Sequence, residues 1–96
     1  MAYKDHIIQE GKESTETVML YTLSTCIWCR KTKKLLTELE LGYSYVDVDL
    51  LEEDDQGEVM SEVEKHNPTS SFPTLVINDG EKVILGFEEA EIRDLK

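Results

Sequence analysis

The chain has 96 residues, 40% of them hydrophobic and 32% charged, with a formal net charge of -11. That length supports one compact core and is short for two, and the anionic balance argues against nucleic acid and anionic membrane surfaces as partners. No window reaches the apolar length of a membrane span, and the opening Met1-Ala2-Tyr3-Lys4-Asp5-His6 lacks the basic-then-apolar order of a signal peptide, so a cytoplasmic location is expected.

Residues 1–16 are mostly polar and read as a flexible or loosely docked extension; Tyr3 to Gln9 could add an edge strand if Ile7 or Ile8 finds a groove. Val18 to Thr22 is short, apolar and β-favouring, as a central strand covered on both faces should be. Ser24 or Thr25 can cap the turn that follows, so a helix is expected from close to Cys26 to about Glu40. Its apolar stripe is read as Trp28, Leu35, Leu36 and Leu39, with Gly42 as the stop signal. Tyr43 to Asp49 alternates with the period of a strand, and the strand-helix-strand order predicts a right-handed parallel crossover. The acids of 52–55 suit the N-terminus of a second helix, with Leu51, Val59, Met60 and Val63 as its apolar face and an end near Asn67-Pro68. Residues 72–77 and 81–85 flank Asn78-Asp79-Gly80 as a hairpin, and after a bend at Gly86 a short helix is expected over Glu88 to Lys96.

The only two cysteines stand in Cys26-Ile27-Trp28-Cys29, at the start of the first helix. On one turn the two sulfurs are close enough to join, and Cys26 lies nearest the unpaired N–H groups that receive a thiolate. A zinc site needs four N or S ligands, and only His6 and His66 remain to complete one, in no zinc-finger register. In a reducing compartment such a pair points to a redox cycle, with no metal and no cofactor expected. Arg30, Lys31, Lys33 and Lys34 are four of ten basic residues, placed where the helix dipole disfavours cations. They read either as support for the thiolate and guidance for an acidic partner, assigned chiefly to Arg30 and Lys33, or as a solvated helix face. Trp28 reads equally as a surface aromatic for a partner or as cover for the core edge.

With a C-x-x-C opening the first helix and Phe72-Pro73 before the third strand, residues 17–95 resemble the glutaredoxin branch of the thioredoxin fold. The resemblance implies an α/β fold with a four-stranded mixed sheet, ordered β-α-β-α-β-β-α, helices on both faces, and residues 17–96 as one monomeric domain. It implies Cys26 as the attacking sulfur, Cys29 as the resolving one, and Pro73 as a cis proline beside them. The substrate face it implies takes in Thr25, Trp28, Phe72, Pro73, Gly86 and Phe87. Three positions depart from glutathione-using members: Leu23 stands in place of a lysine, Ile27 in place of a proline, and Phe87 in place of a second glycine. The Gly86-Phe87 pair looks more like the glutaredoxin-like hydrogen donors of ribonucleotide reductase. The implied function is reduction of protein disulfides, with a thioredoxin-reductase-like or ferredoxin-dependent protein as electron source. The alternatives are a glutathione-dependent enzyme, a carrier in which two chains bridge an iron-sulfur cluster through Cys26, and a redox-inert binding module.

Overall fold

A computed structural model describes residues 7–11, 17–69 and 71–95. The strands are β1 (Ile8–Glu10), β2 (Val18–Thr22), β3 (Tyr43–Asp47), β4 (Thr74–Ile77) and β5 (Lys82–Leu85); the helices are α1 (Ile27–Glu38), α2 (Glu53–His66) and α3 (Glu89–Arg93). They form one mixed sheet in the order β1-β3-β2-β4-β5. β2 and β3 run parallel across the α1 crossover, and every other pair is antiparallel.

The central strand β2 sends alternate side chains into two cores. Val18 and Leu20 join Leu75, Ile77 and Ile84 beneath Leu35 and Leu36 of α1 and Ile92 of α3. Tyr21 joins Val46 and Val76 beneath Val59 and Val63 of α2. The helices therefore lie on both faces, and β2, β4 and α1 meet at a common end of the sheet. Leu36 is completely buried, so its truncation to alanine costs about 2–5 kcal/mol. Among the described residues no helix is long and apolar enough to cross a membrane.

The expected four-stranded sheet has a fifth strand. β1 covers the edge of β3, with Ile8 opposite Tyr45 and Glu10 opposite Tyr43, and so satisfies backbone groups that an open edge would leave unpaired. The strand begins at Ile8, while residues 1–6 and 12–16 of the expected extension lie outside the described residues.

Three local readings of α1 also change. Its N-cap is Cys26, whose Sγ accepts from the Cys29 N–H at 3.2 Å; Ser24 turns instead to Asp49. Its buried stripe runs through Cys29, Thr32, Leu35 and Leu36, leaving Trp28 on the surface at 51% exposure. Its C-terminus closes at Glu40, which holds φ at 59° while the N–H groups of Glu40 and Leu41 return to the carbonyls of Thr37 and Leu36. This is the paired closure that usually employs glycine, formed ahead of Gly42, the residue expected to supply it.

Candidate active site

The two sulfurs occupy different environments although they share a turn. Cys26 is partly exposed at the cap of α1; Cys29, one turn in, is completely buried against the sheet. Burial pushes the Cys29 thiol up from 9.0 to about 12, the hydrogen bond with the Cys26 side chain adds to this, and a backbone hydrogen bond with Leu23 and the charge of Lys33 pull the other way. Water and large reagents thus reach one sulfur, while the other remains a thiol behind it.

The loop leading into Cys26 is held from β3 and the turn that follows it. Asp49 accepts the Ser24 N–H at 2.8 Å and the Ser24 hydroxyl at 2.5 Å, and these bonds hold its carboxyl below the ordinary 3.8. At the end of β2, the buried Thr22 hydroxyl donates to the Val46 carbonyl at 3.1 Å and lies 2.5 Å from Asp47 Oδ1. Arg30 Nη2 donates to the Ser24 carbonyl at 3.4 Å.

The segment before β4 closes the other side. The Phe72-Pro73 peptide is cis, and the Pro73 carbonyl accepts the Gly86 N–H at 2.9 Å. Gly86 needs its φ of +78°, although a Cβ there would meet open space. Trp28, Phe72, Pro73, Gly86 and Phe87 line a shallow groove of about 220 Å³, and the Trp28 and Phe87 rings stack at 5.9 Å. Of the residues expected on the substrate face, Thr25 is exposed beside Cys26 and lies outside this lining.

The cations read as a group on α1 take different partners. Lys31 lies over the Trp28 ring at 4.6 Å. Lys33 pairs with Asp47 at 3.3 Å and sits 3.9 Å above the Tyr45 ring, turned toward β3 and away from the groove. Arg30 stays exposed beside Ser24.

Two supports carry no signal in the local sequence. Asp49 is one. The other is Asn67, completely buried, whose amide donates to Ser71 O at 3.0 Å and to Thr74 Oγ1 at 2.9 Å while its Oδ1 accepts from the Thr69 N–H at 3.1 Å. Together these bonds brace the segment that carries Pro73. Among the described residues no three His, Cys, Asp or Glu side chains gather to hold a metal ion.

The family model described as Glutaredoxin matches residues 18–83. An uncharacterised glutaredoxin-like 8.6 kDa protein in the rubredoxin operon of Clostridium pasteurianum is 35% identical over 78 residues, covering 81% of this chain and 95% of that one. Among solved structures, a methanoredoxin from Methanosarcina acetivorans is 51% identical with a TM-score of 0.77, covering 81% of each chain. A glutaredoxin from Methanosarcina mazei Go1 is 48% identical with a TM-score of 0.84, covering 95% of this chain and 87% of the other.

Proposed function

This chain belongs to the glutaredoxin family, and from that premise we propose that it reduces protein disulfides through a Cys26/Cys29 dithiol cycle and is re-reduced by a protein reductase. The observation that carries the reading is the asymmetry of the two sulfurs: Cys26 is partly exposed, two residues before the Trp28 that lines the aromatic groove, and Cys29 is buried on the same helical turn. Cys26 attacks one sulfur of the target disulfide, and the departing target sulfur leaves as a thiolate. Cys29 then closes on Cys26 and releases the second target thiol.

A protein donor is favoured over glutathione by what surrounds Cys26. Leu23 brings no charge to a small anion. The Gly86 N–H is committed to Pro73 O, and Phe87 packs on Trp28 where a glycine would leave room. Glu88 is exposed next to it and repels an anionic ligand, while the Glu89 carboxylate is paired with Arg93 at 2.7 Å. An apolar groove flanked by two stacked rings suits a protein surface better. The relationship to a protein of a rubredoxin operon supports a setting among protein electron carriers.

The test is turnover of a protein disulfide with glutathione as sole reductant, against turnover with a thioredoxin-reductase-type or ferredoxin-dependent protein. Saturable, efficient turnover with glutathione would overturn the assignment of the donor. Failure of Cys29→Ser to trap a mixed disulfide at Cys26 would overturn the dithiol cycle itself.

A further inference from the structure

The second half of the cycle poses a chemical difficulty. To release the target, Cys29 must lose its proton, yet it is completely buried and burial holds it as a thiol well above neutrality. Forming the mixed disulfide at Cys26 removes that neighbour's upward contribution. The effect of burial, which is the largest, remains. Two features fixed in the fold favour the anion at that sulfur: a backbone hydrogen bond with Leu23, the stronger of the two, and the charge of Lys33.

Lys33 stands four residues after Cys29 on α1, one turn on and along the same face. A helical side chain leans toward the N-terminus and covers the turn before its own Cα, so Lys33 extends over the turn that contains Cys29. Its ammonium does not swing freely. It is held 3.3 Å from Asp47 Oδ1 and 3.9 Å above the Tyr45 ring, with only 23% of the side chain exposed. Asp47 is itself fixed by the buried Thr22 hydroxyl. The charged and titratable groups around this ammonium are Asp47 and Tyr45 from β3, Asp49 from the turn that follows, and Cys26 and Cys29 from the start of α1.

We infer that Lys33 is a positioning residue for the resolving step: held by Asp47 and Tyr45 against the turn of Cys29, its charge favours the Cys29 thiolate as that sulfur closes on Cys26, and Asp47 moderates it. In that step the Cys29 Sγ–H proton passes to solvent and the Cys29–Cys26 S–S bond forms. The bond between Cys26 Sγ and the target sulfur breaks, and the target leaves with the electron pair and is protonated by solvent. The dithiol is oxidised and the target disulfide reduced. The inference rests on the dithiol reading and assigns Lys33 to the second half-reaction.

The two members of one ion pair then act in opposite directions. Lys33→Met removes a cation and slows closure; Asp47→Asn keeps a hydrogen-bond acceptor for Thr22, releases the full charge of Lys33, and speeds it. A purely structural ion pair slows the step, or leaves it alone, whichever partner is removed.

The experiment is stopped-flow reaction of the reduced protein with the chromophoric disulfide 5,5′-dithiobis(2-nitrobenzoate). Attack by Cys26 releases one coloured thiolate, and closure by Cys29 releases a second. One equivalent in place of two refutes the dithiol reading. With two equivalents, the rate of the second phase tests Lys33: slower in Lys33→Met, restored in Lys33→Arg, and faster in Asp47→Asn, each by a factor of about two or more. Its pH profile should move to higher pH in the first variant and to lower pH in the last, with the plateau kept. Should Lys33→Met fold poorly, the acceleration in Asp47→Asn still decides. Slowing in both variants, or profiles that do not move, overturns the inference.

Discussion

The carboxylate of Asp49 takes both the backbone N–H and the hydroxyl of Ser24, at 2.8 and 2.5 Å, tying the loop ahead of the first cysteine to the turn after β3. These bonds keep the Asp49 carboxyl below its ordinary value. A group lowered on folding contributes stability above its ordinary range and loses that contribution as pH falls through the folded value. Asp49→Ala should therefore remove on the order of 1 kcal/mol at neutral pH, the usual worth of a charged hydrogen bond discounted for exposure. Hydrogen exchange at the Ser24 amide should accelerate. Unchanged protection there would show that the loop is held by other contacts.

Cys29 gives the opposite pH dependence. Its thiol is raised on folding, so its contribution is present below pH 9.0 and is lost as pH rises from 9.0 toward about 12, where the unfolded chain ionises and the folded one does not. Tyr43 and Tyr45, both raised chiefly by burial, act in the same direction from about 10. Urea midpoints of the reduced protein should decline more steeply above pH 9.0 than those of the disulfide form, in which Cys29 has no proton to lose. Parallel decline in the two forms would remove Cys29 as the cause. At neutral pH iodoacetamide should modify Cys26 first, since Cys29 is buried and protonated.

Asn67→Ala deletes the brace behind Pro73. It leaves buried polar partners unsatisfied, and a loss of about 2–4 kcal/mol follows. Because the displaced segment forms one wall of the groove, reduction of a protein disulfide should fall further than reduction of a small one. Equal loss for both substrates would mean that the segment does not meet the target.

Glu40→Gly tests the closure of α1. A non-glycine residue at φ 59° bears a steric cost of about 1–2 kcal/mol, partly offset by the greater backbone entropy that glycine loses on folding. The variant should gain about 0.5–1 kcal/mol in urea unfolding with activity unchanged. A loss would show that contacts of the Glu40 side chain outweigh its backbone cost.

Where local pattern specifies this fold, the amino-acid sequence alone is enough to read it: the turn carrying Cys26 and Cys29, the crossover from β2 to β3, and the hairpin turning at Asn78-Asp79-Gly80. The rest depends on residues far apart in sequence or on a polar residue in an apolar position. The buried stripe of α1 departs from the apolar one because Thr32 lies at its centre, with its hydroxyl donating to the Trp28 carbonyl at 2.9 Å. A hydrophobicity pattern favours Trp28 over Thr32, and only the packed sheet reverses that order. In sequence, Asp49 and Asn67 resemble the end of a strand and a helix-ending residue, since their donors and acceptors come together only in the tertiary fold. β1 is ambiguous for the same reason, as its pairing depends on the free edge of β3.

The stack of Trp28 on Phe87 has an optical consequence. Trp28 is the only tryptophan in the chain, half-exposed and in direct sequence with both cysteines. Its emission therefore originates within the active turn and nowhere else. Closing or opening the disulfide changes the quenching beside the indole, and a partner settling into the groove moves the ring from water into an apolar setting, so the native protein reports both events by its own fluorescence, without a label.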